Sequence, residues 1–124
     1  MIVTKNTPFT TEEIIQLQEE YDTYIKTVID IEREKCSAGM FRHFEGEQIL
    51  LAQGSKQNQI WGGGIDLETK EIDFNSFINI RPRDNNPKND IQDQSIREKY
   101  TKLTKYFFEE VFREWKQASD RLIV

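Results

Sequence analysis

His43, Glu45 and Glu47 alternate along the chain, and Asp30 and Glu32 alternate in the same way just before them. On an extended segment, residues at i, i+2 and i+4 share a face. The first three side chains would then point one way, opposite a second pair of carboxylates. A histidine among carboxylates can hold a divalent metal or perform general acid–base catalysis. Catalytic roles would fall on His43, Glu47, Asp30 and Glu32, and metal ligation on His43, Glu45 and Glu47. The chemistry would be that of a small metal-dependent or acid–base hydrolase or nuclease. The competing reading is a solvated acidic face with one surface histidine.

A second group lies at the end of a β-hairpin spanning residues 59–82. Its second arm alternates: Ile72, Phe74, Ser76, Ile78 and Ile80 share one face, and Asp73, Asn75, Phe77, Asn79 and Arg81 share the other. The polar face continues into Arg83, Asn85, Asn86 and Lys88 within a proline- and asparagine-rich loop. Asn75, Asn79, Arg81, Arg83, Lys56 and Arg97 form a candidate binding set. The guanidinium fork of Arg81 suits a carboxylate or phosphate. Against this stands a structural role, with Arg81 paired to Asp30 or Glu32 and the asparagines organising the loop.

Other motifs carry less. Gly62-Gly63-Gly64 leads into Ile65-Asp66-Leu67 and a turn, whereas a phosphate loop leads into a helix. Glycine inside a strand points instead to a bulge or a close backbone approach. Cys36 and His43 would face opposite ways on one strand, so a buried, inert cysteine is the better reading. Ser55 lacks the glycine-flanked elbow of a hydrolase nucleophile.

These residues need a scaffold. A chain of 124 residues fits one α+β domain spanning residues 1–124. Thr10 or Thr11 caps a helix to about Asp22. Strands follow at Tyr24–Glu34 and Met40–Phe44, then a short helix at Glu47–Gln53 and the hairpin. Asp93 caps a long C-terminal helix whose apolar stripe runs through Ile96, Tyr100, Leu103, Phe107, Val111, Trp115 and Ala118. Phe108, Phe112 and Trp115 make this stripe a candidate homo-oligomer contact. The expected architecture is a sheet of about four antiparallel or mixed strands packed on the N- and C-terminal helices.

The net charge of −5 and mean hydropathy of −0.73 disfavour nonspecific nucleic-acid or membrane binding. A protein or a small anion is the favoured partner. No signal-peptide pattern opens the chain and one cysteine permits no internal disulfide, so a cytoplasmic location is expected.

The stretch from Val28 to Arg97 resembles a family of uncharacterised bacterial proteins known only as a domain of unknown function. The resemblance rests on Asp30-Ile31-Glu32, His43-x-Glu45-x-Glu47, Gly54-Ser55-Lys56-Gln57 and Ile60-Trp61-Gly62. It continues through Phe74-x-Ser76-x-Ile78-Asn79-Ile80-Arg81-Pro82, Ile91-x-Asp93 and Ile96-Arg97. Gly63-Gly64 and Glu45 depart from the pattern. The resemblance brings no activity with it. The residues themselves favour a binding or regulatory module working through the hairpin end, with the hydrolase as the alternative.

Overall fold

The computed structural model describes residues 1–113. Its centre is β2, Tyr24–Asp30, whose β-branched run suits a strand buried on both faces. β3 (Lys35–Ala38) and β4 (Ile60–Asp66) flank it, both antiparallel. β1 (Val3–Lys5) closes one side and β5 (Ile72–Asp73) the other, giving a five-stranded sheet ordered β1-β3-β2-β4-β5. The sheet has five strands, not four, and every pairing is antiparallel.

Alternation along β2 sorts two cores. Ile25 and Ile29 face the larger one with Cys36, Ala38, Trp61 and Ile65. Two helices cover it: α1 (Thr11–Glu20) through Ile14 and Leu17, and α3 (Gln94–Phe107) through Tyr100, Leu103 and Phe107. Val28 faces the opposite way, joining Met40, Leu50 and Ile60 beneath α2 (His43–Ala52). The helix expected at Glu47–Gln53 is therefore present, but it begins four residues earlier at His43 and forms a third layer on the other face of the sheet. Its placement brings His43 against Gly62 and Gly63 of β4.

Local signals explain the helix starts. Thr10 and Glu13 form a reciprocal capping box at α1, with Thr10 Oγ1 accepting from Glu13 N at 3.1 Å and Glu13 Oε1 from Thr10 N at 2.9 Å. Asp93 Oδ1 accepts from Ser95 N and Ile96 N at the start of α3. That helix ends at Phe107, and helical turns resume at 109–113.

Three expectations need correction. First, β2 stops at Asp30, not Glu34, because Asp30 Oδ1 accepts from Glu32 N and Arg33 N and closes a turn. Second, Met40–Phe44 is not a strand: Met40 is buried under α2, and the helix begins at His43. Third, Phe108 is fully buried in the chain's own core, edge-on to Phe9 with centroids 4.9 Å apart. Phe108 is thus not available to a second copy. Phe112 packs against the same core, and Trp115 and Ala118 lie outside the described residues.

Candidate functional site

The site is built from β4 outward. Gly62 and Gly63 carry no side chain because neighbours occupy that space. A Cβ on Gly62 would meet Ser76 Oγ at 2.8 Å and His43 Cδ2 at 3.1 Å. One on Gly63 would press on the Asp73 carbonyl oxygen and Tyr100 Oη. The glycine run is therefore a regular strand under close approach, and no bulge forms.

The second hairpin arm pairs with β4 only over Ile72–Asp73. The chain then lifts away into 3-10 turns at Phe77–Asn79 and Pro82–Asp84. Asn79 replaces the missing ladder. Its Oδ1 accepts from Gly62 N at 2.9 Å, and its Nδ2 donates to Gly62 O at 2.9 Å, Phe74 O at 3.0 Å and Asn89 O at 3.1 Å. Asn86 ties the following loop in the same manner, to the carbonyls of Asn79, Lys88 and Asp90. Both side chains are buried and fully engaged. Asn79 is thus removed from the binding set, and the loop-organising role is the one observed.

The turn at Phe77–Asn79 has a further result. Ser76 Oγ accepts from Ile78 N at 3.2 Å, which fixes the turn, leaves Ile78 half-buried and drives Phe77 outward. Phe77 is 86% exposed, and Phe41 and Phe44 at the start of α2 are 65% and 58% exposed. The three phenylalanines surround one groove of about 410 Å³, with His43 and Ile78 also in its lining and Lys26 and Arg42 among its polar groups. Lys26 Nζ lies 5.6 Å from the centroid of the Phe41 ring.

His43 sits at the groove as the first residue of α2. Its Nε2 lies 2.6 Å from Gly63 O, so Nε2 carries the proton and donates. Burial pushes its pKa below the usual 6.5, opposed by the Gly63 carbonyl; Lys26 lowers it further and Asp73 opposes. Glu47 is one helical turn on and buried, and burial raises its carboxyl above the usual 4.5, with Arg81 and Gln57 pulling the other way. Glu45 projects from a different side of the helix. Glu32 is exposed, and Asp30 commits Oδ1 to its turn while Oδ2 is buried with no hydrogen-bond partner among the described residues.

No group of three or more His, Cys, Asp or Glu side chains gathers among the described residues. His43 forms no ion pair with any described carboxylate. The metal-ligand group expected of these residues is therefore not gathered among the described residues, and the alternation of His43, Glu45 and Glu47 falls on a helix. Burial also pushes the Cys36 thiol well above its usual range, in a core on the far side of the sheet from His43.

These two titrations make opposing predictions for stability against pH. The folded pKa of His43 is depressed, so its contribution is present above pH 6.5 and is lost as pH falls through the folded value. The folded pKa of Glu47 is raised, so its contribution is present below pH 4.5 and is lost as pH rises through the folded value. Urea unfolding at stepped pH should show the His43→Gln variant losing the acid-side fall and Glu47→Gln losing the opposing rise. Each slope is at most about 1.4 kcal/mol per pH unit. Identical slopes in wild type and both variants would refute the assignment.

Arg81 is held within the chain's own structure, although its Nε and Nη2 are buried without a hydrogen-bond partner among the described residues. Its side chain is 9% exposed and its guanidinium stacks 3.9 Å from the Trp61 ring centroid. It donates to Gln57 O and pairs with Asp84 at 3.6 Å, not with Asp30 or Glu32. Beside it, Lys56 and Arg83 are exposed and line an open cleft of about 580 Å³ with Asn58 and Pro82. Arg97 lies elsewhere, over the Phe74 ring at 4.6 Å and 3.4 Å from Asp90. Asn75 is exposed and bridges to Asp90. The candidate binding set thus divides among separate places. Lys56, Arg81 and Arg83 stay together.

Sequence reasoning missed Phe41, Phe44, Lys26 and Arg42. One signal was present: Phe77 falls among Asp73, Asn75 and Asn79 on the polar side of the second arm, where an aromatic residue has no core to enter.

No helix among the described residues is long and apolar enough to cross a membrane. No curated protein and no solved structure matches the chain. Residues 1–107, which take in the whole sheet and all three helices, match the model of a family described as Protein of unknown function (DUF5674), and the chain belongs to that family.

Proposed function

We propose that this chain is a cytoplasmic binding module that holds an apolar side chain of a partner protein in the groove between α2 and the Phe77–Asn79 turn. The observation that carries the reading is the exposure of Phe41, Phe44 and Phe77 around one concavity. Single exposed apolar residues are ordinary, but a contiguous aromatic patch marks an interaction surface. Burying one such ring contributes about 1.5–3 kcal/mol, and buried aromatic anchors dominate protein interfaces.

The groove is also preorganised. Asn79 and Ser76 fix the turn that presents Phe77, and the His43 bond to Gly63 fixes the start of α2. Little ordering cost then remains for binding. The cytoplasmic setting is supported by the one cysteine, Cys36, being a free buried thiol.

Panning a random dodecapeptide phage library on the immobilised full chain tests this. Peptides should be enriched that bind wild type and lose binding to Phe44→Ser and Phe77→Ser. Both variants should melt within a few degrees of wild type, since exposed substitutions change stability by about 0.5 kcal/mol or less. Failure to recover any peptide sensitive to these substitutions refutes the groove as a binding site.

A further inference from the structure

We infer that the groove takes an acidic peptide segment, one apolar or aromatic anchor flanked by Asp or Glu, and this rests on the groove being a binding site. The lining holds Lys26 and Arg42 and no carboxylate, in a chain whose net charge is −5. Neither cation is paired with a carboxylate among the described residues. The groove is thus an electropositive spot on an acidic protein, beside three exposed aromatic rings. Arg42 is also the N-cap of α2 and supplies no side-chain cap. The positive end of that helix adds to the same field.

Charge decides among the occupants. A cationic guest would meet Lys26, which already lies over the Phe41 ring. A second copy docked through the same face would set Lys26 and Arg42 against their own counterparts, because a two-fold interface places each patch on itself. A nucleic acid needs many phosphates neutralised, and the acidic remainder of the surface repels a long polyanion. A short acidic segment satisfies both parts of the site. Its anchor enters among Phe41, Phe44 and Phe77, and its carboxylates meet Lys26 and Arg42. Complementary charge at the rim also sets partner choice and association rate.

The peptides recovered by panning supply the test, together with synthetic versions followed by fluorescence anisotropy on the full chain. Groove-dependent peptides should be enriched in Asp and Glu beside the anchor. Exchanging those residues for Ser should weaken binding about tenfold, near 1.4 kcal/mol, and exchanging them for Lys should weaken it further. The Lys26→Glu, Arg42→Glu double variant should reverse the order while keeping the wild-type melting temperature. If Ser-flanked peptides bind as tightly as acidic ones while Phe77→Ser still abolishes binding, the acidic-segment inference fails and the groove stands. If no peptide depends on Phe44 or Phe77, both fail. A fluorescent oligo-dT that outcompetes the acidic peptide, or self-association abolished by Phe77→Ser, would likewise overturn the inference.

Discussion

Replacing Asn79 with alanine should destabilise the chain by about 3–4 kcal/mol, a fall of roughly 10 °C or more in melting temperature. The carboxamide is fully buried and serves Gly62 N–H together with the carbonyls of Gly62, Phe74 and Asn89. Alanine removes each of these bonds and strands a buried N–H, and an unsatisfied buried group costs about 1–3 kcal/mol by itself. Asn79→Asp should fare no better, since a carboxylate has no N–H for the three carbonyls. Asn75→Ala, on an exposed side chain nearby, is the control and should stay within about 0.5 kcal/mol. Urea unfolding of the three variants measures this. A loss under about 1 kcal/mol for Asn79→Ala would show that the amide is dispensable.

Gly63→Ala should be comparably damaging, at about 3 kcal/mol or with failure to fold. An added methyl would collide with the backbone carbonyl of Asp73 and lie 2.9 Å from Tyr100 Oη. The Tyr100 hydroxyl is itself committed to Thr27, including a bond to its carbonyl at 3.1 Å, so neither obstacle is a free side chain that can swing aside. Relief requires β5 to part from β4 at the Gly64–Asp73 pair. Hydrogen exchange should therefore report lost protection of amides around Ile72–Asp73, alongside the fall in global stability. Full stability with unchanged exchange would mean that the strand yields more easily than its packing implies.

The parts of this fold that the sequence announced are those governed by local chemistry. The stripe of Ile96, Tyr100, Leu103 and Phe107 behind an Asp93 cap identifies α3 without any tertiary knowledge. β2 and β4 were legible for a similar reason, being apolar, short and bounded by polar turns. The second hairpin arm misled because Ile72 to Ile80 alternates like a strand. The tertiary bonds of Asn79 and the turn at Phe77–Asn79 outweigh that pattern, so Ile80 ends 44% exposed. His43, Glu45 and Glu47 misled in the same way, since i, i+2, i+4 spacing has meaning only after strand or helix is known.

Of the candidate binding set at the hairpin end, Asn79 and Arg81 are engaged within the chain, and the set is divided among separate places. Asn79 and Arg81 are the means by which the loop is held, and burial of a polar side chain leaves no mark in sequence. The phenylalanines were hidden for the converse reason. An aromatic residue is assigned to the core by default, and only the placement of α2 and the turn reveals that three of them remain outside.

The amide of Asn79 also bears on how the protein avoids its own kind. A sheet that ends in unpaired N–H and C=O groups is a template on which another chain can extend the ladder and seed aggregation. Past the two residues of β5, the strand Ile60–Asp66 would offer Gly62 as such a template, and glycine has no side chain to obstruct an incoming strand. Asn79 occupies both polar groups of Gly62. One internal carboxamide thereby serves as a guard against fibril-like growth at that margin of the sheet.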